Sequence, residues 1–372
     1  MQTITVEQLI TMLTPVFSGL VCLILVTLHS PIWRKVKGTG LRQSLIFYYI
    51  LAMCNWLMLI ILTLYPREFA YVRSFYFFTT IIAAVVPYQF IFILTRIDNK
   101  EKFPKLHYIL PTAIFLVHLI WSLSIPKEVA IETSFYSGKA FNGYHRFYIF
   151  ASLIAPIRFM FGIGYSALSI IRYRRYQHAI VEYAADPCFN SLHWLRTFLF
   201  LWISLLIVPI FGVLFTPKAL IGQLLAIPAI LLFAQHLTLC FNAIRGNYLY
   251  IGDSVFLAKE TPKEDKNQLS HETVMSYIED RKPYLNPQFS IAEMANDLST
   301  NRSYLSVFIN KTYGTNFSQF MNRFRLEELE RIENNPIHTK KSNLDKITLA
   351  GFGSDQAYRY TLKKKEENES FS

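Results

Sequence analysis

Apolar residues gather along this chain in seven long blocks, at about 7 to 28, 44 to 65, 74 to 95, 106 to 125, 147 to 171, 194 to 214 and 219 to 241. A helix rises about 1.5 Å per residue, so crossing roughly 30 Å of hydrocarbon takes about 20 apolar residues. The blocks have that length and short polar loops between them, and they predict seven membrane-crossing helices. Beyond Asn242 the pattern changes. Residues 245–270 include the run AKETPKEDKNQLS, which is charged, contains a proline and has no apolar period, and so reads as a solvated tether. From His271 helical spacing returns in short segments, with Val274, Tyr277 and Ile278 on one stripe before Pro283. The expected organisation is all-α: a transmembrane helical domain over 1–244, serving as sensor or anchor, a linker over 245–270, and a water-soluble domain over 271–372.

Charge sharpens this division. The chain carries a formal net charge of +11, yet residues 271–372 hold 14 basic and 14 acidic side chains. The excess therefore belongs to the membrane half, where it reads as loop charge that sets topology and not as a nucleic-acid signature. The loops after the first, third and fifth blocks hold eleven Lys and Arg, among them Arg34, Arg96 and Arg172, against six in the opposite loops, among them Arg67, Lys127 and Lys218. This bias places the first set in the cytoplasm, the N-terminus outside and the C-terminal domain in the cytosol. The first block lacks a basic leader and a small-residue cleavage site, so it is expected to be a retained helix.

Candidate chemistry narrows the function. Cys22, Cys54, Cys188 and Cys240 have no zinc-site or disulfide spacing. No HExxH, GxSxG, phosphate-cradling Gly loop or pair of membrane carboxylates occurs, so neither a catalytic site, a metal nor a cofactor is expected. Polar residues inside the blocks are Asn55, Gln89, His118, Arg158, Gln223, Gln235 and His236. An ionisable group at membrane depth costs about 2.5–3.5 kcal/mol or more, so Arg158 should face the bundle or a wet cavity. Arg158 is then either an intramembrane signal site or an arginine satisfied by carbonyls or by snorkelling. The remaining polar residues suit interhelical hydrogen bonding. Pro87, Pro111, Pro156, Pro209 and Pro228 are expected to kink their helices.

In the soluble part the run FSIAEMANDLSTNRSYLSVFINKTYG has capping-box spacing, with Ser290 three residues before Glu293 and a helix expected to run to Leu298. Ser299 and Thr300 make a turn and offer a new N-cap, and a second helix is expected from about Asn301 to Thr312, ending before Gly314. Two short helices on a tight turn suit a helix-turn-helix. Leu305, Phe308 and Ile309 fall on one side of the second helix, while Arg302, Ser306 and Asn310 share the other with Ser303. Arg and Asn are shaped for bidentate contact with guanine and adenine edges, and Ser can donate to bases or phosphates. A small helical bundle with a solvated polar face fits the same spacing.

These motifs resemble the C-terminal domain of the AraC/XylS family of bacterial transcription regulators. The resemblance is carried by IAEMANDL, SYLSVFIN, the YGTNF turn and MNRFRLEELERI, in that order, and covers about 100 residues. It implies a double helix-turn-helix that binds double-stranded DNA and controls transcription. A long helix, here Phe317 to about Asn334, joins the two units. Its eighteen residues give about 27 Å, near the ~34 Å of one DNA turn. Asn301, Arg302, Ser303, Ser306 and Asn310 would be DNA contacts of the first unit, with Arg323 and Arg325 as candidate phosphate contacts. The second unit is carried by ITLAGFGSDQAYRYTLKKK. There Gly351 allows the turn, Phe352 packs, Ser354 caps a helix through Lys365, Tyr358 and Leu362 are core, and Gln356, Arg359 and Tyr360 are candidate contacts. Asp355 departs from the family, and so does the chain's end at Ser372, where the family continues into a supporting helix; the second unit is therefore expected to be truncated. Lys363, Lys364 and Lys365 fit phosphate binding or a solvated charge run equally. The expected protein is a regulator of the bacterial inner membrane. Its partners would be DNA and the lipid bilayer, with RNA polymerase, a second copy of the chain and an unknown small-molecule or membrane signal as further candidates. A receptor or transporter with a helical protein-docking tail is the competing class.

Overall fold

The structure is a computed structural model that describes residues 5–28, 40–97, 101–129, 143–186, 192–215, 226–245 and 269–370. The predicted linker (save for its ends), Cys188, Gln223 and the loop cations Arg34, Lys35, Lys37, Lys100, Lys139 and Lys218 lie outside the described residues. Among the described residues the chain is helical, with a single isolated bridge between Ala184 and Ser290. It divides into two compact units. The first comprises 1–94, 102–172 and 193–248, and the second 95–101, 173–192 and 249–372. Residues 173–192 thus join the C-terminal unit although the 56 residues of 193–248 intervene, a membership the apolar pattern did not signal.

The first unit is built from α1 (Val6–Leu28), α2 (Leu41–Leu64), α3 (Pro66–Leu94), α4 (Leu106–Leu123), α5 (His145–Ser152), the first part of α6 (Ile154–Tyr183), α7 (His193–Phe215) and α8 (Ala226–Arg245). Six helical stretches are long and apolar enough to cross a membrane, α5 and α6 counting as one, and α7 adds a further apolar helix. The predicted block at 147–171 is two helices, divided at Leu153. Pro156 explains the break, because it has no N–H to give to the Ser152 carbonyl four residues back. The predicted start at residue 74 moves back to Pro66, which suits a first helical position where the missing N–H costs nothing.

Helix α3 is the centre of this unit. Its most apolar window is 78% buried, against 11% for α4. Helix α1 packs on α2 and α8, α2 on α3, α3 on α4, and α7 on α8. Four of the predicted polar residues bond between helices as expected, while Gln235 Nε2 has no partner. His236 Nδ1 lies 2.9 Å from Ser18 Oγ, His118 Nδ1 lies 2.8 Å from Ser74 Oγ, Asn55 Nδ2 donates to the Thr79 carbonyl at 3.1 Å, and Tyr108 donates to Gln89 at 2.5 Å. Outward faces carry exposed Phe17, Ile120, Phe200 and Ile230. Apolar surface on this scale, with backbone bonds closed inside each helix, suits hydrocarbon as the surrounding solvent.

The second unit contains α9 (His271–Arg281), α10 (Ile291–Asp297), α11 (Arg302–Tyr313), α12 (Phe317–Glu333), α13 (Asn343–Leu349) and α14 (Asp355–Ser370), with 3-10 turns at Pro283–Leu285 and Pro336–His338. Caps set most of these limits. Ser290 and Glu293 form the predicted capping box of α10, Asn316 and Gln319 form another on α12, and Ser354 accepts from the Ala357 N–H at the start of α14. Helix α12 is buried along its length, and each half serves a different core. Phe320 and Phe324 meet Tyr313 and Tyr284 at the N-terminal half. Leu329 and Ile332 join Ile347, Ala350, Phe352 and Ala357 at the other.

Gly351 closes the turn after α13 at φ 95°, and a Cβ there would run into the Tyr284 carbonyl and lie 2.6 Å from the Leu285 Cα. Gly351→Ala is therefore expected to destabilise the second unit by about 1–3 kcal/mol, through left-handed strain and a collision with backbone that cannot move aside. Chemical denaturation followed by hydrogen exchange in residues 343–366 measures it.

Candidate nucleic-acid interface

Helices α10 and α11 are joined by the turn Leu298–Asn301. Ser299 takes φ 51°, and the Thr300 N–H reaches back to the Ala295 carbonyl at 2.8 Å, closing α10. Asn301 then caps α11, its Oδ1 accepting from the Tyr304 N–H at 2.8 Å, and Gly314 ends the helix in the left-handed region at φ 66°. The turn thus satisfies the free backbone groups of both helices within four residues. That fixes the angle at which α11 leaves α10.

The face α11 presents outward is rotated from the predicted one. Leu305 and Ile309 are fully buried while Phe308 is only half-buried, so the core axis runs between the first two. At about 100° per residue, Ser303, Tyr304, Val307, Asn310 and Lys311 then point away from the core, and all five are exposed. Of the predicted contacts, Ser303 and Asn310 lie on this face, and exposed Asn301 is occupied as the cap. Arg302 and Ser306 sit on its flank, half-buried. Tyr304, Val307 and Lys311 were missed because Phe308 was given equal weight in placing the core. A phase set by Leu305 and Ile309 alone would have found them.

In the second pair, Gln356, Arg359 and Tyr360 are all exposed on α14. Asp355 Oδ2 accepts from Arg359 Nε at 2.7 Å one turn along. Both partners are open to solvent, so the pair is worth at most about 1 kcal/mol and yields readily to a phosphate or a base. Tyr360 lies under the Lys364 ammonium, 5.4 Å from ring centre to nitrogen. Ala357 and Phe352 are the buried anchors here, and Tyr358 is half-buried. The remaining predicted site residue, Arg158, lies half-buried on α6 in the first unit, on the wall of a cavity of about 590 Å³.

Arg325 is not at the surface. It is fully buried in the middle of α12, where Nε donates to the Tyr284 carbonyl at 2.7 Å, Nη1 to the Ala185 carbonyl at 2.7 Å and to Asn322 Oδ1 at 2.9 Å, and Nη2 to the Asn286 carbonyl at 3.2 Å. A guanidinium spent in this way has nothing left for phosphate. Burial pulls its pKa down to about 10, against an opposing pull from Asp186, so it stays charged at neutral pH. Arg323, two positions back, is exposed and bonded only to Glu327.

The segment Ala184–Asp186 that follows α6 is stitched into this unit from several sides. The Ala185 N–H donates to the Phe289 carbonyl at 2.9 Å, just before α10. Asp186, 2% exposed, accepts from the Gly353 N–H at 3.0 Å, just before α14. One short segment therefore touches the approach to each helix pair and, through Arg325, the helix between them. Comparison of the chain with family models, with curated proteins and with solved structures returns no match.

Arg325→Met keeps the apolar volume but leaves the Ala185, Tyr284 and Asn286 carbonyls buried without donors, each costing about 1–3 kcal/mol. The expected loss is at least about 3 kcal/mol of second-unit stability, together with faster amide exchange at Ala185. Arg323→Ala should change stability by no more than about 0.5 kcal/mol. Equal effects in a denaturation series would count against the buried role.

Proposed function

We propose that this chain is a membrane-tethered one-component transcription regulator. Seven helices cross the bacterial inner membrane with the N-terminus outside, and the second unit, in the cytosol, binds duplex DNA through α11 and α14. The observation that carries the reading is the capped α10–α11 pair, whose outward face bears Ser303, Tyr304, Val307, Asn310 and Lys311 on a rigid base. This face combines an amide for adenine, an ammonium for phosphate and apolar surface for thymine methyl groups. Helix α12 supports the reading further. Its 17 residues separate the two pairs by about 25 Å, a spacing suited to neighbouring major-groove segments. The likeness to the AraC/XylS family rests on the same elements.

The route from membrane to DNA is covalent. Helix α6 begins among the apolar helices and ends at Tyr183, directly before the segment that Arg325 and Gly353 hold. A protein-docking tail is the second reading. It is favoured by the balance of 14 basic against 14 acidic side chains in residues 271–372 and by Glu327, Glu330 and Glu333 on α12.

Footprinting of the full chain in lipid nanodiscs against fragments of its host genome is expected to show protection of two successive major-groove segments. Lys311→Ala should weaken binding to all sequences alike and lower the slope of log affinity against log salt by about 1, whereas Asn310→Ala should relax choice at one base pair by about 1–3 kcal/mol. Salt-insensitive association with no protected sequence would give the tail to a protein partner.

A further inference from the structure

The cavity of about 590 Å³ in the first unit lies among α2, α3, α6, α7 and α8. Its walls are mostly apolar and aromatic, with Trp56, Tyr76, Phe159 and Trp202 among them. A volume within roughly 300–1,000 Å³, lined by apolar side chains and a few polar groups, is the usual form of a small-molecule site. What sets this one apart is where its uncompensated polarity lies. Arg158 is on the wall, and among the described residues no carboxylate pairs with it and no hydrogen-bond acceptor meets it. Tyr48 and Gln235, 6% and 1% exposed, are among its lining residues, and Tyr48 Oη and Gln235 Nε2, which lie beneath the wall with no accessible surface of their own, have no hydrogen-bond partner. Asn55 is spoken for on one side only: its Nδ2 reaches Thr79, and its Oδ1 has no partner.

Depth identifies the class of ligand. The lining positions fall near the middle of four of the helices, at Tyr48–Leu59 in α2, Tyr76–Pro87 in α3, Trp202–Leu206 in α7 and Leu232–Gln235 in α8, and at Ala155–Gly162 in the first turns of α6, which is the middle of the apolar block at 147–171. If these helices span the bilayer, the cavity is at the midplane, beyond the reach of a phospholipid headgroup anchored at the interface. A cation there needs an anion that arrives on an apolar body. Resting on the reading of this unit as the sensor, we propose that the cavity binds an amphipathic monocarboxylic acid. The carboxylate pairs with Arg158, the apolar body lies against Trp56 and Trp202, and the unpartnered Tyr48 Oη, Gln235 Nε2 and Asn55 Oδ1 turn out from beneath the wall, the first two to donate to the carboxylate and the third to accept from a hydroxyl or amide N–H near the acid. Ala155, Arg158, Phe159 and Gly162 are all on α6. Occupancy therefore acts on α6, whose residues from Tyr173 on are counted in the second unit.

The test uses the full chain in nanodiscs and needs no DNA. 3-Hydroxydodecanoate is titrated while tryptophan emission is followed, since Trp56 and Trp202 both line the cavity. Saturable binding at one site per chain is expected, at least tenfold weaker for dodecanol, severalfold weaker for dodecanoate, and unchanged between zwitterionic discs and discs containing phosphatidylglycerol. Arg158→Gln should weaken binding at least tenfold and Arg158→Lys much less. Ala83→Phe, which fills the cavity with the charge left intact, should abolish binding even if the glutamine variant fails to fold. No saturable binding, alcohol binding as tightly as acid, or competition by phosphatidylglycerol would overturn the proposal. Because this readout is independent of operator binding, a failure of the DNA footprint leaves it standing, and the converse also holds.

Discussion

The second unit depends on one buried guanidinium. Arg325 ties three separate stretches of backbone, at Ala185, Tyr284 and Asn286, to the middle of α12. A charged group taken out of water is tolerable only when its donors are matched, and here four acceptors surround it. The consequence is geometric. The two helix pairs flank α12, so a group that fixes α12 against the segment before α10 and the segment after α6 also fixes the angle between the pairs. Gly351 belongs to the same arrangement, because its missing Cβ lets the Ala350–Gly351 turn lie against the Tyr284 carbonyl that Arg325 bonds.

The first unit answers to a different solvent. Its apolar side chains are spread over outward faces as well as the interior, and only α3 is buried nearly all round. Polar atoms are consumed in pairs across helices, such as His118 with Ser74 and His236 with Ser18. Some buried polar atoms stay unmatched, His118 Nε2, His236 Nε2 and Ser166 Oγ among them, and the residues around the cavity add Tyr48 Oη, Asn55 Oδ1 and Gln235 Nε2 beside Arg158. Such groups cost stability in hydrocarbon, and a cluster of them is more readily explained by something they bind than by packing.

Helix α6 connects these two regimes. Its break from α5 at Leu153 gives it a start of its own close to the cavity, and its end at Tyr183 leads into the segment held by Arg325 and Gly353.

The sequence by itself determined the helices, the change of apolar pattern near Asn242 and most of the caps, because these depend on hydrophobic period and on side chains bonding backbone a few residues away. Ser290 with Glu293, Gly314, Gly351 and Ser354 were all legible for that reason, whereas the cap of α11, expected at Ser299 or Thr300, is Asn301. The outward face of α11 was half legible: Ser303 and Asn310 were found, while Tyr304, Val307 and Lys311 depended on knowing that Phe308 is only half-buried. Tertiary structure alone decided the burial of Arg325, the capture of Ala185 and Asp186 by a unit whose main body begins some eighty residues later, and the meeting of Arg158 with Tyr48, Asn55 and Gln235. Each of these joins residues far apart in the chain, and no local period or cap carries information about such an encounter.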